Sequence, residues 1–203
     1  MLSSNYFENP SDTITTKGDR LSEDSMSLTV EDLEQLQAQH PDYRMELVEG
    51  KIIVMSPSGY ESDEVAFRVG AKLWNWIEPN QLGRITGSSA GFNLANTRAP
   101  DVSFIRAERL PRSPRGYATI PPDLMVEVKS PTDKISELQD KIDEFLTQGT
   151  VVGILVNPEK RTVEIRRYEQ NPIILKDGDI LAVPDLLPGW EVPVTELWSP
   201  VFD

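Results

Sequence analysis

The chain has 203 residues, 38% of them apolar, which is the size of one domain and enough to bury a core. It has no cysteine, which excludes disulfides, thiolate metal sites and a cysteine nucleophile and favours the cytoplasm. The formal charge of −13 opposes tight non-specific binding to nucleic acid, although eight acids against Lys17 and Arg20 place −6 within residues 1–40 and leave −7 for the rest.

Residues 1–26 are polar and lack an apolar period, so a tail is expected there, followed by a single domain over 27–203. The start, Met-Leu-Ser-Ser-Asn-Tyr-Phe-Glu, has neither the basic nor the apolar stretch of a secretion signal. The strongest apolar run, 151–156, is far short of the roughly 20 residues that cross a bilayer, so no membrane partner is expected. There is no internal repeat and no low-complexity block.

Thr29-Val30-Glu31-Asp32 has the form of a capping box, and Leu33 and Leu36 follow at helical spacing, which predicts a helix to about Gln39 before Pro41. Two β-rich runs, 44–48 and 51–55, flank Glu49-Gly50 as a two-residue hairpin. From Glu61, Val65, Val69, Leu73 and Trp76/Ile77 recur every three to four residues, the pattern of a helix packed on one face as far as residue 77. Strands are expected at 84–88, 91–94, 101–106 and 124–129. Ser130-Pro131-Thr132-Asp133 offers a cap, a first-turn proline and an acid, so the next helix should begin there, with Ile135, Leu138, Ile142, Phe145 and Leu146 as its apolar stripe and Gly149 as its end.

The continuous apolar run 151–156 reads as a strand buried on both faces, and 162–168 alternates beside it. Strand, helix, strand over 124–156 is the form of a right-handed parallel crossover. The rest, with Asp177-Gly178-Asp179 and several prolines, reads as short strands and turns to about Trp198. The class is α/β or α+β, with a central mixed sheet flanked by helices.

Chemistry concentrates in two of these strands. In Leu124-Met125-Val126-Glu127-Val128-Lys129 side chains alternate between faces, so Glu127 and Lys129 share a face at ~7 Å along what should be a core strand. Burying both without purpose is costly. If the strand opened by Pro100-Asp101 lies alongside, Asp101 and Glu127 converge on one cation, and oxygen ligands of this kind suit Mg²⁺. Lys129 would polarise or deprotonate an attacking water and shield charge on phosphorus. The competing reading is an ion pair between Glu127 and Lys129 on an exposed edge strand, with Asp101 as a turn residue.

Pro100-Asp101 followed by Glu127-Val128-Lys129 resembles the PD-(D/E)XK nuclease superfamily. The longer blocks Glu46-Leu47-Val48-Glu49-Gly50-Lys51-Ile52-Ile53-Val54-Met55-Ser56-Pro57, Arg98-Ala99-Pro100-Asp101-Val102-Ser103-Phe104 and Val126-Glu127-Val128-Lys129-Ser130-Pro131-Thr132-Asp133 resemble the Uma-type restriction endonucleases abundant in cyanobacteria, from about residue 28 to Trp198. The resemblance implies a restriction-endonuclease-like core in the order helix-strand-strand-strand-helix-strand, Mg²⁺ with Mn²⁺ able to substitute, DNA as substrate and a homodimer. It carries the catalytic positions onto Asp101, Glu127 and Lys129. It adds Glu61 as a third metal ligand from the first core helix, with Glu64 as the alternative, and Lys141 as a polar residue of the second core helix facing the site. Some relatives have a histidine near the start of the first core helix; here the only histidine is His40, outside it, so no histidine-dependent mechanism is expected.

Other polar residues have plain expectations. Glu46 and Glu49 flank a hairpin and should be solvated, His40 should be a surface residue, and Lys134, Asp140, Asp143 and Glu144 should form a solvated helix face. Arg106, Arg109, Arg112 and Arg115 either solubilise a loop or steer phosphate. Trp74 and Trp76, two apart on a helix, do not share a face, so one of them is free for a subunit interface. Two readings compete with the nuclease: a catalytically inactive dimeric interaction protein on the same fold, and a glycosidase whose general acid Lys129 would spoil by holding Glu127 ionised.

Overall fold

The computed structural model describes residues 27–202; the expected polar tail, 1–26, lies outside them. The chain divides into two compact units, one ending at Met55 and the other beginning at Ser56.

In the first unit, α1 (Val30–Gln39) starts as the capping box requires: the Thr29 N–H donates to Asp32 Oδ2 at 2.8 Å and the Asp32 N–H donates to Thr29 Oγ1 at 3.3 Å. Strands β1 (Arg44–Val48) and β2 (Lys51–Met55) pair antiparallel around Glu49 and Gly50, whose φ values of 50° and 71° are those of the tight turn that suits right-twisted strands. The expectation of a solvated Glu46 is corrected here. Met45, Glu46 and Leu47 are consecutive and all buried, so β1 is enclosed on both faces and has no wet side for an acid.

The second unit is built on a six-stranded sheet. Along the chain come α2 (Tyr60–Ile77), β3 (Gly83–Gly87), the two-residue strands β4 (Phe92–Asn93) and β5 (Thr97–Arg98), β6 (Val102–Arg106), β7 (Leu124–Val128), α3 (Ile135–Thr147), β8 (Val152–Asn157), β9 (Thr162–Arg166), β10 (Ile173–Lys176), β11 (Ile180–Ala182), β12 (Glu191–Pro193) and a 3-10 turn, Val194–Leu197. The sheet runs β10-β9-β8-β7-β6-β3, with β7 and β8 parallel at its centre and the other pairs antiparallel. The expected strand-helix-strand crossover over 124–156 is therefore present, and the mixed sheet flanked by helices is the expected class.

Alternation decides which helix covers which face. Val102, Phe104, Leu124, Val126, Val128, Val152, Ile154 and Val156 pack with Val65, Val69, Leu73 and Ile77 of α2 and with Leu187, Trp190 and Leu197 further on. Ile105, Met125 and Leu155 point the other way, against Ile142, Phe145 and Leu146 of α3. The apolar stripes read from sequence are thus the buried ones.

The helix expected from Ser130 begins instead at Ile135. The Ser130 N–H donates to Asp133 Oδ2 at 2.7 Å and the Asp133 N–H to the Ser130 carbonyl at 3.1 Å, so this segment closes a turn of its own and the helix starts one turn later. Strand β5 is too short to carry a period and leaves no signal in the sequence.

Gly153 of β8 sets how near α3 approaches the sheet. A Cβ there would lie 2.2 Å from Ile142 Cγ2, inside a contact with no spare room. Gly153→Ala should cost about 1–3 kcal/mol through overpacking, read as a lower urea midpoint at unchanged slope.

Candidate active site

Strand β7 lies between β6 and β8, so Glu127 is not on an exposed edge; the ion-pair reading of Glu127 with Lys129 rested on such an edge and falls. Glu127 points to the α3 side with Met125 and is 3% exposed. Its charge is met by Lys141 of α3, itself 5% exposed, whose Nζ lies 2.9 Å from Glu127 Oε1 and 2.9 Å from the Ala99 carbonyl.

Asp101 stands just before β6. The pairing Val102↔Val126, continued by one step, sets Asp101 opposite Glu127, where facing Cβ atoms are ~4.5–5.5 Å apart. Asp101 Oδ2 accepts the Val128 N–H at 2.8 Å, which fixes the carboxylate against β7. Asp101 and Glu127 therefore sit together, as the sequence predicts for two strands side by side.

Lys129 follows directly on β7, and its N–H prolongs the ladder to the Val156 carbonyl at 2.9 Å. Its Nζ donates to the Ser130 carbonyl at 3.1 Å and to Glu159 Oε2 at 3.3 Å. Glu159 belongs to the turn between β8 and β9, and sequence reasoning misses it because a turn acid has no periodic signature.

Glu61 is placed differently from the other four candidates. It is exposed on the first turn of α2, and the residue of that turn facing inward is its neighbour Ser62. Ser62 Oγ hydrogen-bonds the Gly59 carbonyl at 3.0 Å and Ser130 Oγ at 2.8 Å, tying the head of α2 to the residue after Lys129. A signal for Ser62 does exist, since it is three residues before Val65 on the buried stripe. Glu64 is engaged by Arg68 at 2.9 Å. Among the described residues no three acids or histidines gather as a metal-binding group.

A family model described as "Uma2: Putative restriction endonuclease" matches residues 30–195. The chain belongs to the Uma2 family. It is also similar to a crystal structure described as a "putative nuclease belonging to DUF820" from Anabaena variabilis, with a TM-score of 0.74 and 22% identity over 84% of this chain and 97% of that one. At that identity the likeness is one of fold. No curated protein gives a significant match.

The arginines from the end of β6 onward divide in this Uma2 chain. Arg106 Nε and Arg109 Nη1 each lie 2.8 Å from Asp123 Oδ1, and the Arg106 N–H donates to Asp123 Oδ2 at 2.8 Å. Asp123 is fully buried at the start of β7, so two of the four arginines neutralise a structural acid at the end of the strand away from Lys129, while Arg112 and Arg115 are exposed. Of the solvated face expected of α3, Lys134 and Asp140 are exposed, whereas Asp143 pairs with Arg166 at 2.6 Å and Glu144 binds Arg98 at 3.1 Å and Asn96 at 2.7 Å.

Removing Lys141 alone would strand a carboxylate in the core. Lys141→Met should destabilise the Uma2 fold by about 3–5 kcal/mol in urea unfolding, and adding Glu127→Gln should recover most of that loss.

Proposed function

We propose that this chain is a metal-dependent endonuclease that hydrolyses phosphodiester bonds in DNA at a PD-(D/E)XK site formed by Asp101, Glu127 and Lys129. One observation carries the reading: two carboxylates face each other on adjacent central strands, and a lysine follows two residues after one of them. Membership of a family described as restriction endonucleases supports it, as does a fold shared with a protein described as a nuclease.

The donor set fits Mg²⁺. The ion prefers hard oxygen, takes one or two protein carboxylates and keeps several waters, so the facing pair Asp101 and Glu127 suits it, with Mn²⁺ able to substitute. When bound, the ion supplies a polarised water and neutralises charge developing on the phosphoryl oxygens.

The chain's own residues do the rest. Val128 N–H holds Asp101 in one orientation, and Lys141 holds the Glu127 carboxyl aimed. Lys129, carrying N–H donors, gives hydrogen bonds to a phosphoryl oxygen as the water oxygen bonds to phosphorus and the ester oxygen leaves. Glu61 has no part in this arrangement, being exposed on α2. The cysteine-free composition suits the reducing cytoplasm.

A second copy is the partner that fits the exposed side of α2. Tyr60, Phe67 and Trp74, spaced by seven, lie on one stripe with exposures of 89%, 76% and 49%, although each offers ~150–250 Å² of surface that folding normally buries. The opposite reading, an inactive interaction protein, draws support from the chain's charge of −13.

Asp101→Asn and Lys129→Met should each lower Mg²⁺-dependent nicking of plasmid DNA by at least ~10²-fold with unchanged circular dichroism. Undiminished nicking in both would sink the site, and calorimetry showing neither Mg²⁺ nor Mn²⁺ uptake would favour the inactive reading. Phe67→Asp should convert a dimer to a monomer in sedimentation equilibrium; a wild-type monomer at high concentration would exclude this interface.

A further inference from the structure

Glu159 is the one acid at this site that the proposed chemistry leaves unused. Its place is set by a well-defined turn. After β8 the chain reverses through Asn157-Pro158-Glu159-Lys160-Arg161: the Lys160 N–H donates to Asn157 Oδ1 at 3.2 Å, the Arg161 N–H donates to the Pro158 carbonyl at 3.2 Å, and Arg161 takes a φ of 50° to close the turn. Because β7 and β8 run parallel with Val128 beside Val156, this turn emerges at the same sheet end as Lys129. The carboxyl ends of parallel strands are where ligands of open α/β sheets collect.

The two partners differ sharply in exposure. The Lys129 side chain is 12% exposed and that of Glu159 74% exposed. Lys129 is held from the protein side by the Ser130 carbonyl, and a carboxylate that reaches in from solvent takes another of its N–H donors. An anion arriving from solvent meets Lys129 on the side that this carboxylate takes. A carboxylate and a phosphoryl group present similar oxygens to an ammonium, and an exposed ion pair is weak enough to be exchanged for a doubly hydrogen-bonded phosphate.

We propose that Glu159 is a stand-in for the substrate phosphate, occupying beside Lys129 Nζ the position that a phosphoryl oxygen takes when a nucleic-acid strand docks. The proposal rests on the nuclease reading. Glu159 is then a positioning residue with two opposed effects. It keeps a long, four-torsion side chain aligned before substrate arrives, and it competes with substrate for the same donors. With Asp101, Glu127 and Glu159 set against Lys129 and Lys141, the site is acidic until one carboxylate withdraws.

The test measures binding without cleavage. A fluorescein-labelled DNA oligonucleotide is titrated in EDTA, read by anisotropy, with the full chain as wild type, Glu159→Gln, Lys129→Met and the double variant, at about 20 mM and about 200 mM salt. Glu159→Gln should tighten binding about three- to fivefold at the lower salt and less at the higher, and should have no effect in the Lys129→Met background. In the presence of Mg²⁺ the same variant should lower KM by a similar factor at unchanged kcat.

Wild-type affinity in Glu159→Gln overturns the proposal. So does an equal gain with and without Lys129, which would mark a general charge effect. If wild type binds and Lys129→Met weakens it while Glu159→Gln changes nothing, the stand-in falls and the nuclease reading stands. If no variant binds at the lower salt in EDTA, and none binds or nicks DNA with Mg²⁺ added, both fall together.

Discussion

The buried contact of Lys141 with Glu127 and with the carbonyl of Ala99 is the constraint from which the site's geometry follows. A carboxylate taken out of water costs several kcal/mol unless a charge and hydrogen bonds meet it, so Glu127 is tolerable in a central strand only because α3 supplies a cation at that level. The same ammonium anchors the chain two residues before Asp101. One side chain thereby fixes both acids, and α3 is held against the sheet by an interaction that tolerates little sliding. Gly153, by removing a side chain under Ile142, allows the helix to come close enough for the lysine to reach.

Strand β7 is asymmetric along its length. At its start, Asp123 is fully buried, and its two oxygens are taken by two arginine side chains and the Arg106 N–H, an arrangement with no room for a ligand. At its other end, the ladder with β6 stops at Val102↔Val126, which would leave the Val128 N–H without a strand partner, and the carboxylate of Asp101 takes it. The acid at one end is consumed by structure, whereas those at the other rest on backbone already in place. The position of Asp101 is thus a product of where pairing ends.

Much of this arrangement is legible in the order of the amino acids alone. The apolar stripes of α2 and α3, the parallel pair β7/β8 and the facing of Asp101 and Glu127 follow from period and alternation, which depend only on local geometry. Illegible parts are those decided by contacts distant in sequence. Glu46 is enclosed because β1 is covered on both faces, Ser62 rather than Glu61 turns inward because the helix phase is set by Val65 and Val69, and Arg106 and Arg109 are drawn to an acid 17 and 14 positions along the chain. The start of α3 is obscured for a different reason. Ser130-Pro131-Thr132-Asp133 satisfies its own backbone as a closed turn, and the residues that favour a helix start also favour such a turn.

The charge of the chain bears on how such a site would work. With −13 overall, the protein repels a polyanion, and screening removes that repulsion beyond about 10 Å at 0.1 M salt. What remains at short range is a cluster in which acids outnumber ammonium groups by one, a field that favours a divalent cation over a phosphate. On the proposed reading the order of events follows from this imbalance. Cation uptake turns the local charge from negative to positive and so strengthens the hold of the site on a nucleic-acid strand. An acidic protein would in that way make its affinity for DNA rise with cofactor uptake, which a basic surface stripe would not.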